Sequence, residues 1–184
     1  MVDISFNTWF PVLTLMAGYT MKLVEDRLTH QRTMQRERES RRDSRRIQLA
    51  ERHADFQRKT LLDLQEALQD LLRACGAIIH ADAMKFRETG LWGKAKVEEE
   101  ISQKQFDSNR KCILLIVRVA DDEIRKKAHE FRQAVMTASN SPDEKTANDR
   151  MFATVSQIDN LHELIGKQLR TIDETEQAQL NLTV

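Results

Sequence analysis

The sequence predicts an all-α fold in which an N-terminal transmembrane helix continues into a long stalk helix. Together with two further helices it should pack as an antiparallel helical bundle. Only five Gly and two Pro occur among 184 residues, whereas residues that favour helices are abundant. Apolar residues recur at spacings of three and four over long stretches, as they do on the buried face of a helix. Clear turn signals are confined to 90–93 and 139–144, so three long helices are expected.

The first element, residues 1–24, is interpreted as a membrane anchor. Its apolar run, 4–24, contains a single charged residue, Lys22. The run is about 21 residues long, and this length suffices to span a bilayer. Trp9 lies near one end, and an arginine-rich segment follows the other. Because the basic cluster comes after the apolar run, a cleaved signal peptide is not expected. We therefore expect a single-pass membrane protein, with its N-terminus outside and the C-terminal bundle in the cytoplasm.

One side of the anchor carries small and polar residues at helical spacing. These residues are Asn7, Pro11, Thr14, Gly18 and Lys22. Small residues allow close approach of helices within a membrane, so the stripe predicts a homo-oligomer. An oligomeric pore lined by the same stripe is a second interpretation. The polar residues also dilute the apolar run, which leaves open an apolar helix packed within a soluble bundle or oligomer.

The second element, residues 25–60, is predicted to be a charged, basic stalk helix, since neither Gly nor Pro interrupts it. Its arginines nearest the anchor are expected to face lipid headgroups, which attract a well-placed basic residue by about 1 kcal/mol. They are Arg27, Arg32, Arg36, Arg38, Arg41 and Arg42, followed by Arg45 and Arg46. A solvated helix with pairs such as Glu37 and Arg41 also accounts for most of these charges.

Residues 61–174 are predicted to form the cytoplasmic helical bundle. The first helix should enter it through a seam that includes Leu61, Leu64, Leu68, Leu71 and Cys75. The segment 90–93 then turns the chain, with Trp92 at the end of the bundle. A second helix is expected from near Ala95 to Val135, with a seam that includes Phe106, Ile113, Val117, Ile124 and Phe131.

The third helix is predicted to begin after the turn at 139–144, with Ser141 as its cap and Pro142 at its first position. Its seam should include Met151, Val155, Ile158, His162 and Ile165. The largely polar residues that follow Glu174 predict a flexible tail over 175–184.

Composition and motifs favour no cofactor, no metal and no nucleic acid. The 29 basic and 29 acidic residues cancel, which removes the electrostatic argument for nucleic-acid binding. Cys75 and Cys112 lie in apolar patterns and are interpreted as buried thiols in a reducing compartment. The acidic runs 98–100 and 121–123 are consecutive, so they are interpreted as solvated charges rather than metal ligands.

Four polar side chains in or near apolar stretches are weighed for a functional role: His162, Arg118, Arg73 and His80. His162 is interpreted as a hydrogen-bonded core or interface histidine rather than a ligand or pH switch. Arg118 lies in the most apolar stretch and is expected to pair on the bundle surface or at a subunit contact. Arg73 and His80 are weak catalytic candidates, because they match the Arg-to-His spacing of helical HEPN ribonucleases, as do Arg46 and His53. One or two such matches arise by chance in a chain of this composition.

Three segments carry a resemblance: 9–18, beginning Trp9-Phe-Pro; 56–71, beginning Phe56-Gln-Arg; and 86–92, ending Gly-Leu-Trp92. In these the chain resembles an uncharacterised family of small bacterial membrane-anchored, all-helical proteins. In arrangement alone it is also similar to membrane accessory proteins of prokaryotic antiviral systems, which implies an anchored helical body that can assemble.

These patterns favour a non-enzymatic, homo-oligomeric helical scaffold or effector at the inner membrane. Membrane lipid and a second copy of the chain are the expected partners, and a separate protein partner is the alternative. A pore-forming protein, for example in antiviral defence, and a HEPN-like ribonuclease are the alternatives.

Overall fold

The computed structural model describes residues 6–93 and 95–182, and every regular element in these ranges is a helix. The predicted all-α class is confirmed. The helices are α1 (Phe6–Thr89), α2 (Glu99–Ile116), α3 (Asp122–Ser139) and α4 (Glu144–Leu182). Three helices therefore follow the first, whereas the sequence predicted two.

The chain forms two units, Met1–Ala50 and Glu51–Val184, which divide within α1. The described part of the first unit is α1 alone. The second unit contains the remainder of α1 with α2, α3 and α4, and it holds the hydrophobic core. The predicted stalk, 25–60, thus extends into the second unit.

The second unit is a four-helix bundle in which neighbouring helices are joined in cyclic order by side-chain contacts. One such contact joins each neighbouring pair of helices. These contacts are Glu66 to Lys111 (2.9 Å) for α1 and α2, Asn109 to Arg132 (3.0 Å) for α2 and α3, Thr137 O to Arg150 (3.5 Å) for α3 and α4, and Asp173 to Arg58 (2.9 Å) for α4 and α1. α1 and α4 run antiparallel, because Arg58 meets Asp173 while the later Arg87 lies 3.8 Å from the earlier Glu144. An antiparallel order suits the short connections between the helices.

The core is built on one seam of α1. Leu61, Leu64, Leu68, Leu71 and Cys75 are buried at alternating spacings of three and four, as the sequence predicts. They pack in one cluster with buried residues of the other helices, among them Cys112, Phe131, Val135, Leu161 and Ile165. Full burial of each large apolar side chain contributes roughly 1.5–3 kcal/mol, so this seam dominates the stability of the bundle.

The predicted second helix is divided into α2 and α3. α2 ends in a tight turn, in which the amide of Arg118 donates to Leu115 O (2.9 Å) and that of Val119 to Ile116 O (3.3 Å). Asp121 then caps α3, since its side chain accepts from the amide of Ile124 at 2.8 Å. The acids after it, Asp122 and Glu123, lie in the first turn of α3, where the helix dipole favours negative charge.

This break also changes which face of α2 is buried. Phe106, Ile113 and Val117 were predicted to lie in the seam, yet all three are exposed. The buried face instead runs through Ser108, Cys112, Leu115 and Ile116. The prediction was wrong because one helical periodicity was applied to α2 and α3 together. The two are separate helices, so the buried side of one does not continue into the other. Val155 of α4 is likewise exposed rather than in the seam.

Gln57 of α1 holds the turn between α2 and α3. Its amide nitrogen donates to Arg118 O (3.1 Å), and its amide oxygen accepts from the amide of Ala120 (2.9 Å). Gln57 itself is buried. It therefore supplies both missing partners of a backbone segment that belongs to no helix.

Trp92 lies at the opposite end of the bundle, as predicted. Its indole nitrogen donates to Ser141 O at 2.8 Å, and its ring meets that of Phe86 edge to face, with centroids 6.1 Å apart. Gly90 and Gly93 flank this segment with φ of 69° and 70°, a backbone conformation that glycine adopts without steric cost.

α4 begins later than predicted and ends later as well. Asp143, not Ser141, provides the cap, because its carboxylate accepts from the amide of Thr146 at 2.8 Å. Ser141 instead donates to Thr137 O at the end of α3. The chain is helical as far as Leu182, through most of the segment for which a flexible tail was predicted.

Replacing Gln57 with Ala should destabilise the bundle by about 1–3 kcal/mol, because this buried side chain makes two hydrogen bonds to the backbone of the turn and both would be lost. The free energy of unfolding, measured by urea denaturation, tests this expectation. Gln133→Ala at an exposed position of α3 is the matched control and should change stability by less than about 0.5 kcal/mol. Equal effects of the two substitutions would contradict the role assigned to Gln57.

Candidate functional site

The first unit presents a dense array of positive charge. All eight arginines between Arg27 and Arg46 are exposed. Three acids accompany them in this range, so eight positive and three negative charges leave a net +5. Within it, one ion pair is formed, between Glu37 and Arg41 at 3.7 Å. This basic segment, residues 27–46, can attract a polyanionic surface along one continuous helix.

The helical backbone of α1 begins before the basic segment, at Phe6. Of the predicted small and polar stripe, Lys22 is exposed, while the side chains of Asn7, Pro11, Thr14 and Gly18 lie outside the residues whose side chains are described. In the part of the chain that the structure describes, no helix is long and apolar enough to cross a bilayer. The predicted transmembrane span is thus not supported.

Arg73 and His80 lie on α1, two turns apart, and both are exposed. The rise between them along the helix axis is about 10 Å. The guanidinium of Arg73 contacts the preceding turn, with Nε donating to Gln69 O (3.4 Å) and Nη2 lying 3.5 Å from Asp70. Arg73 is thus oriented away from His80. The second match, Arg46 and His53, is also exposed.

His162 and Arg118 differ in their surroundings. His162 is half-buried, and its Nε2 lies 3.5 Å from the side-chain nitrogen of Gln69. Arg118 is exposed at the turn between α2 and α3, where its backbone oxygen accepts from Gln57. Its guanidinium forms no ion pair with the described residues.

The acidic runs do not converge. Glu98, Glu99 and Glu100 are exposed where α2 begins, and Asp121 serves as the cap of α3. Among the residues that the structure describes, no group of three or more His, Cys, Asp or Glu side chains is placed to hold a metal ion.

Both cysteines are buried free thiols, as the sequence predicts. Burial raises the pKa of Cys112 to about 12, and it also raises the pKa of Cys75. The side-chain nitrogen of Gln105 contacts Cys75 Sγ (3.3 Å) and Ser139 Oγ (3.3 Å), which joins three helices in the core. Since the thiolate is the nucleophile, these cysteines are chemically inert at neutral pH.

A further polar site, which the sequence reading missed, closes the bundle at its other end. Arg58 donates to Asp55 (2.8 Å), to Asp173 (2.9 Å) and to Glu176 (2.7 Å). The carboxylates of Asp173 and Glu176 hold the pKa of Arg58 above its usual range. The site fastens α4 to α1 through residues that lie more than a hundred positions apart, a separation at which no local pattern signals contact.

Comparison with known proteins identifies no relative. No family model matches the chain. Neither a curated protein nor a solved structure matches it significantly. The resemblance to small membrane-anchored helical proteins therefore stays a prediction.

We expect the Arg73→Ala/His80→Ala double variant and the unchanged protein to treat a single-stranded RNA alike, leaving it intact. The reason is that the two side chains are exposed and do not converge on one point. Gel analysis of RNA after prolonged incubation provides the measurement. Cleavage that disappears in the double variant would establish the nuclease interpretation instead.

The thiol of Cys112 should make the bundle sensitive to alkali. Its pKa is raised above the value of about 8.5 in an unfolded chain, so its contribution to stability is full below that pH and is lost as the pH rises towards about 12. Between about pH 9 and 11, one such thiol lowers the free energy of unfolding by roughly 1.4 kcal/mol per pH unit. In the Cys112→Ala variant, the free energy of unfolding, measured by urea denaturation at each pH, should fall less steeply with rising pH. Val135→Ala, which keeps both thiols, should retain the pH dependence of the unchanged protein.

Proposed function

We propose that this protein is a non-enzymatic, homo-oligomeric helical scaffold that binds to the cytoplasmic face of a bacterial inner membrane. Residues 4–24 would insert as a single-pass anchor, with the N-terminus outside. The basic segment would lie against anionic lipid headgroups. The four-helix bundle from Glu51 onwards would present binding surfaces to further copies of the chain or to another protein.

The observation that carries this proposal is the exposure of all eight arginines of the basic segment. A helix satisfies its own backbone, so these side chains are not needed for its hydrogen bonding. One ion pair at 3.7 Å leaves most of their charge available for an external partner. The segment follows an apolar run in the same helix, an order in which basic residues favour the cytoplasmic side of a membrane.

The bundle supports a structural role. Its core is a continuous apolar cluster that reaches all four helices, and the polar groups at its two ends hold the turns. Such a bundle keeps its outward faces in a defined arrangement, as a scaffold requires. The exposed residues of those faces are the parts of this unit that a partner can reach.

Neutralising part of the basic segment should weaken binding to anionic vesicles. In the variant with Arg38, Arg41, Arg42 and Arg45 replaced by Gln, we expect a loss of at least about tenfold in affinity, since each basic residue contributes about 1 kcal/mol at an anionic surface. Cosedimentation with vesicles containing phosphatidylglycerol measures it. Increasing salt should weaken the unchanged protein's binding as well.

The matched control replaces four exposed basic residues of the bundle by Gln, namely Lys126, Lys127, Lys167 and Arg170. This variant should bind vesicles like the unchanged protein. Equal losses in both variants would mean that total charge, not the basic segment, drives binding. Extraction of native membranes at alkaline pH then separates insertion from surface attachment, because an inserted anchor stays with the lipid while a surface-bound protein is released.

A further inference from the structure

The outer side of α2 exposes apolar residues beside positive charge. Phe106, Ile113, Leu114 and Val117 are all exposed, Val117 to 69% and Phe106 to 61%. Phe106, Arg110, Ile113 and Leu114 share one side of α2, and Val117 and Arg118 follow in the turn that ends the helix. We call these six residues the α2 face. Neither arginine forms an ion pair with a described residue.

One acid, Asp107, lies beside the α2 face. Its carboxylate accepts from the side chain of Gln103 on the same helix at 3.0 Å. Two arginines against this single acid leave the surface with a net charge of +1. The neighbouring Lys111 forms an ion pair with Glu66 of α1 and lies at the edge of the α2 face.

The outer side of α4 has the opposite character. Phe152 is exposed to 82% and Val155 to 48%. Asp149, Asp159 and Glu163 accompany them at spacings of three and four, and all three are exposed. None of these acids forms an ion pair with a residue that the structure describes. The five residues, called the α4 face, therefore carry a net charge of −3.

Arg150, the one lysine or arginine of the sequence between Asp149 and Glu163, is turned away from the α4 face. The next such residues along the helix, Lys145 and Lys167, lie one turn beyond its two ends. Arg150 donates to Ser141 Oγ (3.2 Å) and to Thr137 O (3.5 Å), which places its guanidinium on the α3 side. The negative charge of the α4 face is thus not neutralised by this residue.

The two faces belong to helices that are not neighbours in the bundle. Side-chain contacts join α1 to α2, α2 to α3, α3 to α4 and α4 to α1, so α2 and α4 occupy opposite corners. A single molecule cannot bring the α2 face onto its own α4 face. Two molecules can, and each then has one face left for a further copy.

We infer that the α2 face of one copy binds the α4 face of a second copy, so that the protein assembles head to tail. This inference rests on the self-association included in the proposed function and names the surfaces that mediate it. Contact buries an exposed phenylalanine from each side at the centre and places Arg110 and Arg118 opposite Asp149, Asp159 and Glu163. Pairing like faces is disfavoured, because two α4 faces would bring six carboxylates together.

The test uses the full chain in mild detergent and two variants, Phe106→Asp and Phe152→Asp, each of which introduces a charge into one face only. Both positions are highly exposed, so thermal unfolding should change little. Mass is measured by sedimentation velocity. The unchanged protein should exceed the monomer mass and grow heavier with concentration, whereas each variant alone should associate at least about tenfold more weakly.

Mixing the two variants gives the decisive result. Phe152→Asp keeps the α2 face and Phe106→Asp keeps the α4 face, so a mixture should form a dimer and no larger species. Leu91→Asp, at an exposed apolar position outside both faces, should assemble like the unchanged protein. A monomeric unchanged protein, a single variant as heavy as the unchanged protein, or a mixture that stays monomeric would each overturn the inference. Vesicle binding by the same variants should stay unchanged, because none of these substitutions lies in the basic segment. This measurement therefore tests the proposed membrane role separately.

Discussion

Burial of one apolar seam of α1 is the constraint on which the rest of the bundle depends. Leu61, Leu64, Leu68 and Leu71 have almost no contact with water, and α2, α3 and α4 are arranged around them. A helix of 84 residues cannot bury such a seam against itself, so other helices must return along it. Each connection reverses the chain, which makes the antiparallel order a consequence of the seam. The polar contacts at the ends, through Gln57, Trp92 and Arg58, fix where each helix stops against that seam.

The helices themselves were largely predictable, whereas their ends were not. The seam of α1 and the turn at 90–93 follow from apolar periodicity and glycine, which are local signals. The break between α2 and α3 was missed, because no Gly or Pro marks it and Asp121, Asp122 and Glu123 resemble a solvated charge run. In the folded chain, Asp121 is a cap that accepts the amide of Ile124. The distant Gln57 completes the turn, and a contact across more than sixty residues has no counterpart in any local pattern.

The same limit applies to the candidate sites. The basic segment is visible in the sequence, since eight arginines in twenty positions need no tertiary information to be noticed. Three apolar residues of the α2 face, Phe106, Ile113 and Val117, were instead assigned to the core, because an exposed apolar residue and a buried one look alike until the rotation of the helix is known. Once α2 ends at Ile116, the buried side passes through Cys112 and Leu115, and Ile113 and Val117 turn outward. A single exposed apolar residue indicates little about function, whereas several that form a patch beside unpaired charge indicate an interaction surface.

The formal net charge of zero conceals how the charges are distributed. The basic segment carries +5, while the α4 face carries −3. Charges on exposed surfaces interact over roughly a Debye length, about 8 Å at physiological salt, so each zone acts on what lies against it rather than on the molecule as a whole. A net charge of zero therefore does not rule out that one region of the protein, such as the basic segment, attracts a polyanion. Within one chain of this kind, a basic helix can attract a lipid surface while an acidic face attracts the arginines of the next copy, and neither attraction requires a net charge.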